Sequence, residues 1–199
     1  MAAKEDQNSP PRPSRVAIGL GANLGAPLLN MQSALDALAD AGLRRQCVSP
    51  VYLTPPVACV PGTPDFHNAA VTGLWSGTPE ELRDCCHAIE RQLGRPAAHG
   101  QDEARMIDLD ILLFGDLRLP SPKEEEGFTA TPPLLPATTL RIPHRLLCAR
   151  AFALLPLRDI APDWPVPGSG FATVADALAR LPAAEIAACR RTTAILLPC

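Results

Sequence analysis

The chain has 199 residues, 47% of them hydrophobic, and its 18 basic and 21 acidic side chains leave a formal net charge of −3. That is enough chain for one domain with a substantial core, and too little net charge to advertise a surface for nucleic acid. No apolar run reaches the roughly 18–20 residues needed to span a bilayer, so no membrane partner is expected.

Residues 1–14 are polar, proline-rich and partly acidic, and read as a disordered tail ahead of a single domain over 15–199. Residues 15–20 read as a first strand that runs into Gly21-Ala22-Asn23-Leu24-Gly25, where glycine and asparagine accept positive φ. Pro27 suits a helix start, and Leu28, Met31, Leu35 and Leu38 form one apolar stripe before Gly42 as a stop. Residues 48–52 read as a second strand, broken at Thr54-Pro55-Pro56 because proline donates nothing to a ladder. After a turn at Pro61-Gly62-Thr63-Pro64, residues 68–75 make a third strand.

Thr78-Pro79-Glu80-Glu81 predicts a capped helix, with Pro79 in the first position and Glu81 closing a capping box on Thr78. Leu82, Cys85, Ile89 and Leu93 continue it towards Gly94. Residues 95–103 read as a polar loop, 105–115 as a strand, and the proline-rich stretch 120–139 as a surface insertion. Ile142-Pro143-His144 leads into a helical region carrying Arg150, Phe152 and Leu154, and Val174, Leu178 and Leu181 mark a late helix. Strands and helices in this mixed order suggest an α+β or α/β two-layer sandwich.

On the strand at 105–115, Asp108 and Asp110 project from one face, roughly 6–7 Å apart by strand rise. Paired carboxylates repel unless a cation or a basic group lies between them, and hard oxygen ligands at this spacing suit Mg²⁺. Arg105 adds a fixed charge beside any phosphate held there. Taken alone, the pair fits equally a half-exposed edge strand with two solvated acids. The glycine-rich stretch 19–25 is a poor dinucleotide loop: its third glycine comes one residue late and no strand ending in an acid follows. Taken singly, His144 reads as structural, Phe66 and Phe152 as core aromatics, Asn68 as a turn residue, Glu90 as solvent-facing, and Arg95 and Arg105 as surface charge. The seven cysteines are odd in number and scattered, without a Cys-x-x-Cys, which fits a reducing cytoplasm rather than a disulfide framework or a zinc site.

Together these residues say more. In order, Thr54-Pro55-Pro56, Phe66-His67-Asn68, Ile89-Glu90, Gly94-Arg95, Arg105-Met106-Ile107-Asp108-Leu109-Asp110-Ile111-Leu112, Pro143-His144 and Arg150-Ala151-Phe152 resemble the 6-hydroxymethyl-7,8-dihydropterin pyrophosphokinase family of the folate pathway. The resemblance implies a ferredoxin-like α+β fold, a two-layer sandwich with a mainly antiparallel sheet and helices packed on it. It implies transfer of pyrophosphate from ATP to 6-hydroxymethyl-7,8-dihydropterin, with AMP released. Asp108 and Asp110 would bind two Mg²⁺ ions and, with Arg95 and Arg105, form the catalytic set. The pterin would stack between Phe66 and Phe152, its polar edge read by Asn68, Thr54, Pro55 and Val57. ATP would be contacted by Glu90, His144 and Arg150. The implied partners are these small molecules alone, for a cytoplasmic monomer working beside separate folate-pathway enzymes. The alternative is a divergent pterin-binding paralogue with little turnover. Ala97, Asp102, Ala104 and Arg145 stand where family members often carry arginine, tryptophan, proline and tyrosine.

Overall fold

Alternation along Ser14–Ala22 sends Val16, Ile18, Leu20 and Ala22 to one face of a strand and Ala17, Gly19 and Gly21 to the other. A computed structural model of the chain, which describes residues 12–56, 62–94, 105–120 and 140–199, uses both faces. This strand, β1 (Ser14–Ala22), lies between β4 (Phe66–Trp75) and β5 (Asp108–Phe114). The remaining strands are β2 (Arg44–Val48), β3 (Tyr52–Thr54) and the short β6 (Arg190–Arg191). The sheet order is β5-β1-β4-β3-β6, with β2 also paired to β4, and every ladder is antiparallel.

The expected α+β sandwich is the sheet together with α1 (Pro27–Asp40) and α2 (Pro79–Gln92). Met31, Leu35 and Leu38 of α1 and Leu82 and Ile89 of α2 share one core with Val16, Ile18 and Leu20. The C-terminal helices add a layer on the opposite face. There Leu154 and Leu157 of α3 (Ala151–Ile160) pack with Ala17, Ala70 and Tyr52, and α4 (Val174–Ala179) packs behind them. A last short helix, α5 (Ala183–Ala188), precedes β6.

Local signals act where they stand. Thr78 Oγ1 accepts the Glu81 N–H at 3.2 Å and Glu81 Oε2 accepts the Thr78 N–H at 2.7 Å, which completes the capping box. Gly42 and Gly94, at φ +107 and +100, turn the chain away just past α1 and α2.

Several elements differ from the expectation. Residues 48–52 are not one strand but the corner between β2 and β3, which lie along successive stretches of β4. Pro50 has no N–H for a ladder, and at this corner the Ser49 Oγ accepts the Ala70 N–H at 2.9 Å. Ser14 already pairs with Trp75, so the strand begins inside the predicted tail; residues 1–11 of that tail lie outside the described residues, as do 121–139 of the predicted insertion. Leu28 is exposed, because the first turn of α1 projects past the core and Ala34 takes its place in the buried stripe. Along α2 it is Cys86 rather than Cys85 that is buried.

The capping box yields a stability test. Thr78→Ala should cost about 1 kcal/mol, seen as a lower urea midpoint with an unchanged slope.

Candidate active site

Residues directly opposed in an antiparallel pair share a face. Gly21 opposes both Asp108 and Asn68, Gly19 opposes Asp110 and Ala70, and Phe66 opposes Thr54. One face of the sheet therefore carries Asp108, Asp110, Asn68, Phe66 and Thr54 around two glycines, beside the part that α3 covers. A Cβ at Gly21 would fall 3.2 Å from Asn68 Oδ1 and 3.9 Å from Asp108 Cβ. Glycine keeps this floor flat. That is the use of Gly19 and Gly21: they belong to β1, not to a phosphate loop.

The β3–β4 side of the floor is apolar and hydrogen-bonding. Asn68 is 7% exposed and its Nδ2 donates to Thr54 Oγ1 at 2.8 Å, which orients the amide and turns Oδ1 towards Gly21. Phe66, at the start of β4, and Phe152, in the first turn of α3, are both half-buried. The Arg150 guanidinium lies 5.3 Å from the Phe152 ring centroid. Pro55 follows Thr54 in an exposed position, and Val57 lies outside the described residues.

The β5 side is charged. Arg105 Nη1 donates to Asp108 Oδ2 at 2.6 Å, and both side chains are about a fifth exposed, 21% and 22%. Asp110 has no hydrogen-bond partner among the described residues. Burial, and then the Asp108 carboxylate, push its pKa above the usual range, while His144, Arg150 and Arg105 pull it down. The five groups thus form one electrostatic cluster.

Burial holds His144 below the ordinary histidine pKa against the pull of Asp110. Its Nδ1 accepts the Leu146 N–H at 3.3 Å, which leaves the proton of the neutral ring on Nε2. Its backbone N–H donates to the Leu112 carbonyl at 3.0 Å, tying this segment to β5. His144 also lines a cavity of about 300 Å³ together with Arg118, Arg141 and Arg145, so that cavity is basic.

The structure thus brings together Asp108, Asp110, Arg105, His144 and Arg150 on one side and Thr54, Asn68, Phe66 and Phe152 around the same face. Arg95, Ala97, Asp102 and Ala104 lie outside the described residues. Glu90 is not solvent-facing: it is 2% exposed and its Oε1 accepts the Leu109 N–H at 2.7 Å. Among the described residues β5 is an edge strand, so the outward amides of its backbone lack a ladder partner there, and α2 supplies one for Leu109. Glu90 therefore braces the backbone between the two aspartates. Arg141 and Arg118 were missed from the sequence, because nothing local marks a basic residue as lining a cavity. So was Asn23, read as a turn residue; it is 6% exposed and bonded to the Arg105 backbone.

The donor set fits a hard divalent cation. Among the described residues Asp110 makes no hydrogen bond, and two carboxylates on one strand face offer the hard oxygens that suit Mg²⁺, whose shell also takes water and phosphate oxygens.

The model of the family described as 7,8-dihydro-6-hydroxymethylpterin-pyrophosphokinase matches residues 17–162. A protein named 2-amino-4-hydroxy-6-hydroxymethyldihydropteridine pyrophosphokinase from Synechocystis sp. is 34% identical over 171 residues, 85% of this chain and 78% of its own. One of the same name from Pseudomonas aeruginosa is 36% identical over 154 residues, 77% of this chain and 84% of its own. The fold is similar to that of Plasmodium falciparum HPPK-DHPS, crystallised as wild type with pteroate, at a TM-score of 0.61 and 15% identity. That match covers 85% of this chain but only 44% of the solved one, and it speaks for the fold alone.

The raised pKa of Asp110 has a consequence for the metal-free protein. Wild type loses stability as pH rises from the ordinary aspartate range, about 3.8, through the raised folded-state value. Asp110→Asn has no such charge to hold, so at pH 7 it should melt at or above wild type, and the difference should vanish in acid. Added Mg²⁺ should raise the wild-type midpoint more than that of the variant. Thermal melts with and without Mg²⁺ check both statements, and a variant that melts lower at pH 7 contradicts them.

Proposed function

The chain belongs to the 7,8-dihydro-6-hydroxymethylpterin-pyrophosphokinase family and is an enzyme that transfers pyrophosphate from ATP to hydroxymethyldihydropterin in folate synthesis; we propose that Arg95, Arg105, Asp108 and Asp110 carry that transfer. The observation that supports this assignment is the union, on one sheet face, of a flat aromatic-flanked patch and a carboxylate pair set among basic groups.

In this reading Phe66 and Phe152 stack on the two sides of the pterin. Asn68, held by Thr54, presents its Oδ1 to the polar edge of the ring, with Pro55 and Val57 completing the contact. A buried site of this kind penalises a ring that leaves its polar groups unpaired. The hydroxymethyl oxygen is then directed at the β-phosphorus of ATP. The new P–O bond forms in line, the bond to the α-phosphate oxygen breaks, and AMP departs.

Asp108 and Asp110 would hold Mg²⁺, two ions in this reading, which when bound would supply neutralising charge to the transferred group. Arg105 and Arg95 neutralise charge on the pyrophosphoryl group in flight. His144 donates Nε2–H to a phosphate oxygen as a neutral ring, and Arg150 adds fixed charge. The basic cavity lined by Arg118, Arg141 and Arg145 accommodates the rest of the nucleotide. Glu90 serves ATP indirectly, through the strand it supports. Phosphoryl transfer asks for positioning and charge rather than a protein nucleophile, and the site supplies just those.

No observation favours the non-catalytic alternative: Arg105 pairs with Asp108, and Asp110 lies in the same charged cluster. We propose a cytoplasmic, monomeric enzyme whose single domain includes β1 from Ser14 onward; among the described residues no helix is long and apolar enough to cross a membrane.

The test is AMP release from ATP and Mg²⁺ with and without 6-hydroxymethyl-7,8-dihydropterin. Pterin-dependent AMP is expected, and ADP in its place would overturn the reading. Asp108→Ala should lower kcat by about 100-fold or more, the scale of losing one preorganised electrostatic group, while pterin affinity stays within a few-fold by fluorescence titration.

A further inference from the structure

We propose that Asn23 is a positioning residue for the transfer, holding Arg105 in the place from which its guanidinium reaches Asp108 and the migrating group. The proposal rests on the reading of Arg105 given above. Ladder pairing between β1 and β5 reaches Gly21 opposite Asp108, and Asn23 and Arg105 lie just beyond it. There a side chain takes over. The Arg105 N–H donates to Asn23 Oδ1 at 2.8 Å, and the Arg105 carbonyl accepts the N–H groups of Asn23 and Leu24 at 3.1 and 3.2 Å. Both backbone groups of the arginine are thus held by one turn.

The same amide reaches a third segment. Asn23 Nδ2 donates to the Pro64 carbonyl at 3.2 Å, two residues before Phe66. A second asparagine reinforces the clamp: Asn30 Nδ2 donates to the carbonyls of Leu24 and Met106 at 3.2 and 3.0 Å. Gly25, at φ +65, lets the turn close, because a Cβ there would lie 2.9 Å from Met106 Cε. One nearly buried side chain therefore links the end of β1, the backbone of Arg105 and the approach to Phe66.

The position requires an acceptor and a donor on one short side chain, which is what asparagine provides. Aspartate keeps the acceptor for Arg105 and loses the donor for Pro64. Alanine loses both. The Arg105 Nη1 lies 2.6 Å from Asp108 Oδ2, and a displacement of about 1 Å in such a group is enough to cost on the order of 100-fold in rate.

The experiment is a double-mutant cycle in kcat on the full chain, using Asn23→Ala, Asn23→Asp and Arg105→Ala, with pterin affinity measured alongside. Asn23→Ala should lower kcat by about 10- to 100-fold with pterin affinity within about three-fold. In the Arg105→Ala background it should change kcat by less than about two-fold, because the group it positions is gone. Asn23→Asp, near-isosteric, should retain most of the wild-type kcat and keeps the cycle readable if the alanine variant does not fold. Equal losses in both backgrounds, or Asn23→Asp as slow as Asn23→Ala, would mean that Asn23 serves the loops and not Arg105. An Arg105→Ala enzyme with wild-type kcat would instead overturn the role given to Arg105 itself.

Discussion

Two carboxylates two residues apart on one strand face, one of them poorly solvated, set the terms for everything around them. Asp108 and Asp110 cannot both ionise cheaply while their mutual repulsion and the burial of Asp110 act together. The fold relieves this in part, through His144, Arg150 and Arg105. It pairs Asp108 with Arg105, leaves Asp110 without a hydrogen bond among the described residues, and holds His144 neutral by burial. In the proposed function, cations and polyphosphate complete this charge pattern. Stability is given up for binding at this strand, as is common where function needs a strained charge pattern.

The rest of the sheet makes that pair useful. Gly19 and Gly21 remove side chains from the strand beside it, so the acids stand at the rim of a flat floor rather than in a crowded groove. β5 itself changes task within seven residues. Leu112 has no partner in the register, and this bulge sends Leu112 and Leu113 under α3 while Leu109 and Ile111 stay in the core with α1 and α2. The Leu112 carbonyl then accepts the N–H of His144, so the irregularity that ends the acidic stretch also anchors the histidine beside it.

Much of this was legible from residues acting on near neighbours. Thr78, Pro79 and Glu81 specify their capping box within four positions, and Pro27, Gly42 and Gly94 mark helix ends by backbone geometry alone. The common face of Asp108 and Asp110 follows from the two-residue period of a strand. The residues of the site were readable as a resemblance only when taken together, since each has an ordinary explanation by itself.

What stayed hidden depends on partners distant in the chain. Pro50 announces a break, but only pairing with β4 shows that β2 and β3 flank it along one strand. Glu90 looks solvent-exposed on its own helix until an edge strand presents an unpaired amide to it. Asn23 lies 82 positions from Arg105, and Asn30 lies 76 from Met106, so neither clamp has a local signature. The amino-acid sequence by itself determined the first two helices, their ends and the charged strand, because propensity and periodicity operate over a few residues. Register, burial and the company each side chain keeps were decided only by the tertiary structure, because they arise where segments remote in sequence meet.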